Sequence, residues 1–171
     1  MGDYSKAEQF NLKVLNICKS VLGENHPDYA RSLNNFGALY FDMGDYSKAE
    51  PYLVEALSIL RSILGETHPD YAGSLNNLGA LYFAMGDYSK AESYYLEALS
   101  IRKSALSETH PNYAESLGNL GDLYSNMGDY AKAESYYLEA LSIQRSVLGE
   151  THPDYAESLV SLGNLYSNMG D

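Results

Sequence analysis

An all-α solenoid of helix pairs is predicted by three observations. The eight residues Met43-Gly44-Asp45-Tyr46-Ser47-Lys48-Ala49-Glu50 recur unchanged at Met1 to Glu8 and at Met85 to Glu92, and the copy from Met127 differs only at Ala131. Met169-Gly170-Asp171 opens a fifth copy, so successive starts lie 42 residues apart. Self-similarity at a period of roughly 20 to 50 residues marks arrays whose copies pack on their neighbours. Between the starts, apolar residues return at spacings of three and four, the helical period, and strand signals are absent. The chain therefore divides into 1–42, 43–84, 85–126 and 127–168, with a truncated start at 169–171, as one array over 1–171.

Each copy contains two helical patterns, clearest in the second. Gly44 tolerates positive φ at a helix C-terminus, and the Asp45 carboxylate is suited to cap the helix that follows. From Tyr46 onward, Ala49, Tyr52, Leu53, Ala56, Leu57, Leu60 and Leu64 trace one buried stripe along a helix of about 18 residues, here helix B. Pro51 forfeits a backbone hydrogen bond inside it, which predicts a slight bend. Gly65 ends helix B. In Glu66-Thr67-His68-Pro69-Asp70, the threonine with an acid three residues later and the proline announce the next N-terminus. Helix A then runs to about Met85, with Leu75, Gly79, Leu81 and Tyr82 repeated in every copy. An interior glycine costs ~1 kcal/mol against alanine, so its recurrence calls for close approach between helices. The expected order is B, A, B, A, B, A, B, A.

Composition narrows the functional classes. The formal net charge is −12, and acidity rises from −1 in the first copy to −4 in the fourth. Nucleic acids and anionic bilayers need clustered Lys and Arg, so neither is an expected partner. Cys18 stands alone and cannot form an internal disulfide. No apolar run approaches the ~20 residues that span a bilayer, and the first residues are already in repeat register with no leader pattern. A cytoplasmic protein is expected.

The pattern of Gly37, Tyr40, Gly44, Tyr46, Ala49, Ala56 and Leu57 resembles the tetratricopeptide repeats. It recurs through Leu78, Gly79, Tyr82, Gly86, Tyr88, Ala91, Ala98 and Leu99, and again through Leu120, Gly121, Tyr124, Gly128, Tyr130, Ala133, Ala140 and Leu141. The 42-residue period and the Gly-Glu-Thr-His-Pro-Asp-Tyr-Ala connector are similar to the longer repeats of kinesin light chain and related bacterial arrays. The early helix-A tryptophan common in the family is leucine here, at Leu33, Leu75, Leu117 and Leu159. The resemblance implies a right-handed superhelix with helices A lining a concave groove and helices B outside. It also implies a protein-interaction scaffold with no catalytic residues and no cofactor.

Positions that differ among the copies indicate where a ligand could be read, because packing positions must stay alike. On helix A they form one stripe, for example Arg31, Asn34, Ala38, Phe41 and Asp42 in the first copy and Glu115, Gly118, Asp122, Ser125 and Asn126 in the third. The candidate groove residues are Arg31, Asn34, Asn35, Phe41, Asn76, Asn77 and Phe83 toward the N-terminus. Toward the C-terminus they are Glu115, Asn119, Asp122, Glu157 and Asn164. Amides could hold a peptide backbone and aromatic rings its side chains, while the acidic half favours basic residues. The expected partner is a protein or peptide with basic and apolar groups.

Other constellations read as structural. His26, His68, His110 and His152 lie one per copy, ~10 Å apart in a helix stack. A shared zinc needs each ligand ~2 Å away, so no metal is expected, and these histidines should shape the helix starts. Tyr94-Tyr95 and Tyr136-Tyr137 should each place one ring in the core and one on the outer surface. Cys18 aligns with Leu60, Arg102 and Gln144, which suggests a position open to any chemistry. The terminal helices lack one partner each, so Phe10, Val14 and Leu15 at one end and Leu159, Leu162 and Tyr166 at the other should be partly exposed. Head-to-tail self-association is the alternative to groove binding.

Overall fold

The computed structural model describes residues 4–170. Met1-Gly2-Asp3 of the first motif copy and Asp171 of the fifth lie outside the described residues. The described residues form eight helices and no strand: α1 (Tyr4–Leu22), α2 (Pro27–Asp42), α3 (Tyr46–Leu64), α4 (Pro69–Ala84), α5 (Tyr88–Ala105), α6 (Pro111–Asn126), α7 (Tyr130–Val147) and α8 (Pro153–Met169). Odd-numbered helices are the B pattern and even-numbered helices the A pattern. They belong to two compact units, Met1–Gly86 with α1 to α4 and Asp87–Asp171 with α5 to α8.

The motif makes the A-to-B hairpin residue by residue. Gly44, Gly86 and Gly128 take φ of 74°, 78° and 80°, which only glycine adopts without cost. Asp45, Asp87 and Asp129 then cap α3, α5 and α7 by accepting from the backbone N–H three residues on. Lys48 closes on Asp45 at 2.8 Å and lies over the Tyr40 ring at 5.3 Å, and Lys132 repeats this with Asp129 and Tyr124. Ala49, Ala91 and Ala133 have no exposed surface, which lets the paired helices approach.

The B-to-A connector departs from expectation in its cap. The capping residue is the histidine, not the threonine before it. Nδ1 of His26, His68, His110 and His152 accepts from the backbone N–H two residues later, at 3.1 to 3.2 Å, with proline at the first helical position. A proline that cannot donate and an imidazole nitrogen that can accept together settle the first turn. Gly23, Gly65 and Gly149 leave helix B with φ near 85°, whereas the third copy places Ser107 there at φ 126°, a strained conformation for a residue with a Cβ. Helix α3 continues unbroken through Pro51, whose side chain faces solvent.

Packing follows the repeated positions. Leu33, Leu75 and Leu117 are each 1% exposed, and Tyr113, Ala114, Leu117 and Ala140 form a core cluster in the C-terminal unit. The helix-A glycine works as expected where α2 meets α3 and α6 meets α7. A Cβ on Gly37 would lie 2.7 Å from Leu53, and one on Gly121 would lie 2.5 Å from the Tyr137 ring. Phe36, Tyr40 and Tyr52 then cluster with centroids 4.7 to 5.8 Å apart, and Tyr124 stacks on Tyr136 at 5.6 Å. Tyr136 is thus half-buried in the hairpin, not on an outer surface, while Tyr95 and Tyr137 are core as expected.

The glycines give a paired test. Gly37→Ala should destabilise the chain by ~1–3 kcal/mol through overpacking against Leu53. Gly163, with nothing within 4 Å of its Cβ direction, should accept alanine with a gain of up to ~1 kcal/mol. Urea unfolding of the two variants measures both, and equal effects would refute the close-approach account.

Candidate functional site

The A helices are held in place by hydrogen bonds from tyrosine to glutamate. Tyr40, Tyr82, Tyr124 and Tyr166 donate to Glu8, Glu50, Glu92 and Glu134, each 32 residues earlier on the preceding helix B, at 2.5 to 2.6 Å. Across the hairpin, Tyr29 and Tyr113 donate to Glu55 and Glu139. Hydrogen bonding and burial together raise the pKa values of Tyr40 and Tyr113. Tyr40 rises to about 12, first through Glu8 and then through burial; Tyr113 rises to about 12, first through burial and then through Glu139.

An unfolded tyrosine titrates near ~10, so each folded pKa is raised above its unfolded value. The resulting stability is complete below about pH 10 and is lost as pH rises through 12. Urea midpoints measured from pH 9 to 12 should therefore fall, and the Tyr40→Phe, Tyr113→Phe double variant should fall less steeply. Parallel profiles would contradict the assignment.

In the N-terminal unit, helices α2 and α4 lie side by side. Asn34 on α2 donates to Ser74 Oγ on α4 at 2.6 Å, a bond that bridges the two helices. Arg31 is exposed and held by Asp28 at 2.9 Å, and Asn35 is exposed. Phe41 is half-buried against Tyr46 across the hairpin, with ring centroids 5.7 Å apart, and Asn77 and Phe83 are also half-buried. Asn76 is buried at 6% exposure and presents no free amide, which corrects its place among the candidates. Its neighbours Leu75 and Leu78 occupy the core, and the stripe turns inward there.

In the C-terminal unit the same face opens into a cavity of about 280 Å³ between α6 and α8, with α7 beneath. Its lining joins Glu115, Asn119, Asp122 and Glu157, four of the sequence candidates, to Gly118, Tyr137, Gln144, Asp154 and Ser158. Asn164 is exposed but lies outside the lining. The cavity exists because of Gly118. This residue stands two copies after Asn34, and nothing lies within 4 Å of where its Cβ would be. The amide that bridges α2 to α4 has no counterpart between α6 and α8.

Around this space the electrostatics are acidic. Asp122 remains accessible to water, yet protein crowds it on most sides, which raises its carboxyl pKa. Tyr137 opposes the rise by donating a hydrogen bond at 2.5 Å, and Glu157 adds to it. Burial, followed by the Asp122 contact, pushes the Tyr137 hydroxyl upward. Behind the wall, Arg102 is 5% exposed. Its Nη1 donates to the Asn112 carbonyl at 2.7 Å, to Ser116 Oγ at 2.8 Å and to Glu115 Oε2 at 3.1 Å. Burial lowers the Arg102 pKa and Glu115 opposes that shift.

The position shared by Cys18, Leu60, Arg102 and Gln144 takes varied chemistry, yet it is turned inward, with Cys18 and Gln144 half-buried. Leu60 is 3% exposed and Arg102 is 5% exposed, because this turn of helix B faces the next helix A. Sequence reading missed Tyr137 and Gln144, although a signal existed: Leu53 and Leu60 are their counterparts two copies earlier. At the terminal helices, Phe10, Val14, Leu159 and Tyr166 are exposed, whereas Leu15 and Leu162 are buried at 8% and 5%. Leu15 lies on a helix packed against α2, and Leu162 on one packed against α7, which corrects the expectation for these two.

Glycine-seated A helices, aspartate-capped B helices and a 42-residue period define a tandem helix-hairpin repeat protein. The tetratricopeptide repeat model matches residues 1–62, 33–104, 70–146 and 113–171, and the chain belongs to that family. The crystal structure of BtubC (BKLC) from P. vanneervenii is similar at 28% identity over 88% of this chain, with a TM-score of 0.75. This chain spans 59% of that one. Two crystal structures of a putative kinesin light chain with nearly identical TPR-like repeats, from Podosopora anserina, match 99% of this chain and 80% of theirs. They do so at 24% identity, with TM-scores of 0.80 and 0.79. No curated protein matches the chain significantly. Proteins of this repeat family generally serve as protein-interaction scaffolds. No helix among the described residues is long and apolar enough to cross a membrane.

Proposed function

We propose that this chain is a non-enzymatic scaffold that captures a peptide segment or partner protein on the face lined by its A helices. The observation that carries this reading is the cavity between α6 and α8. Glu115, Gly118, Asp122 and Glu157 in its lining stand at positions that vary among the copies, whereas Pro111, Ala114, Leu148 and Ser158 beside them are alike in every copy and frame the space. Its acidic lining favours a partner with basic residues. The half-buried Phe41 and Phe83 of the N-terminal unit offer apolar contact. A pull-down with the chain as bait, followed by the Phe41→Ala, Phe83→Ala double variant, tests this. The partner should be lost while far-UV circular dichroism is unchanged. Full retention of the partner would count against the A-helix face.

A second reading, self-association, is favoured by one observation on α8. Gly163 faces open space, where Gly37 meets Leu53 and Gly121 meets Tyr137. Tyr166 holds the position at which Tyr40 and Tyr124 stack on a ring of the next helix B, and the matching position on α1 is the exposed Phe10. Helix α1 of another copy has the register to dock there, as a head-to-tail contact. Light scattering should show mass rising with concentration, more so with added salt that screens the acidic charge. A mass that stays monomeric in high salt would remove this reading.

A further inference from the structure

We propose that the cavity between α6 and α8 seats one arginine side chain of a bound partner, an inference that rests on the A-helix face being the partner surface. Four carboxylates line the cavity, those of Glu115, Asp122, Asp154 and Glu157, against one buried guanidinium, Arg102, which is already bonded to Glu115. Negative charge is left in excess around an opening that protein walls partly enclose, where a cation is drawn more strongly than at a flat surface. Asp122 and Glu157 already feel one another, since Glu157 helps to raise the Asp122 pKa. A cation between them removes that repulsion.

The floor supplies a second, independent mark. Gln144 lines the cavity, and its Oε1 is buried with no hydrogen-bond partner. A buried amide oxygen without a donor is a cost to the free protein, and a turn of the Gln144 amide toward the cavity lets an entering donor relieve it. The Asp122 carboxylate is held toward the space by the Tyr137 hydroxyl, so part of the receiving wall is already oriented.

Geometry selects the kind of cation. Among the described residues no three carboxylate or imidazole groups converge closely enough to hold a metal ion. The negative groups surround the space without meeting at a point. A lysine ammonium is a compact charge that satisfies one locus, whereas a guanidinium is a planar fork of five donors that can reach separated acceptors together. The N-terminal unit provides the built-in contrast: Asn34 spans α2 to Ser74 on α4, and Arg31, Ala38 and Gly73 stand where Glu115, Asp122 and Glu157 stand.

The test is a nuclear magnetic resonance titration of the full 15N-labelled chain with Nα-acetyl-arginine methylamide, and with its lysine and citrulline counterparts. The arginine probe should shift the Gly118 and Asn119 backbone amides and the Gln144 side-chain amide saturably. The lysine probe should bind about tenfold more weakly, and the neutral citrulline probe should not saturate. Gly118→Asn, which copies the N-terminal unit and fills the space, should weaken the arginine probe by about tenfold or more, as should Glu157→Gln. Spectral dispersion reports folding, and if Gly118→Asn is not folded, Glu157→Gln decides. Equal binding of citrulline or lysine, or unchanged arginine binding in the folded variants, overturns the proposal. Partner capture that depends on Phe41 and Phe83 but is indifferent to Gly118→Asn would leave the scaffold reading standing and remove this one.

Discussion

The hydrogen bond from each helix-A tyrosine to a glutamate 32 residues earlier is the constraint on which the rest depends. It is made four times, at nearly one length, three times by a buried tyrosine and once by the exposed Tyr166. A buried phenol that found no acceptor would cost ~1–3 kcal/mol, so the bond specifies register as well as stability. Once the tyrosine is placed, the glycine three residues before it has its own seat. In α2 that seat faces Leu53, and in α6 it faces Tyr137. The variable stripe is then turned away from these contacts. The surface that can read a partner is thus what remains after the tyrosine and glycine have been satisfied.

Much of this was legible in the sequence because repetition stands in for an alignment. A residue alike in every copy must pack or cap, and Gly44, Asp45, Ala49 and Leu75 were read correctly on that ground. The same rule flagged Glu50 as invariant without revealing its partner, since a tyrosine 32 residues away gives no periodic signal. The histidine caps show a different limit. Threonine is the common capping residue, and only the geometry of His68 beside Pro69 reveals that a ring nitrogen takes the role.

The candidate site was legible in part, for a physical reason that differs by residue. Glu115, Asn119, Asp122 and Glu157 were found because helical spacing assigns them to one face, and they do line one cavity. Asn76 has the same spacing, yet it is buried at 6% exposure, a difference that helical spacing alone does not reveal. Tyr137 and Gln144 come from a B helix beneath the cavity, so no pattern along helix A could have found them. Gly118 was visible as a variable position. That it acts by leaving space follows only from the Asn34 to Ser74 bond in the other unit.

The tyrosine and its glutamate also bear on how such a chain can change length. Both lie within one 42-residue period, so duplication or loss of a whole period carries donor and acceptor together. An insertion of any other size within either helix between them shifts one partner out of register. Unequal recombination between near-identical copies therefore tends to yield chains whose internal bonds are still complete. Copy number becomes a heritable variable that selection can adjust without first repairing the fold.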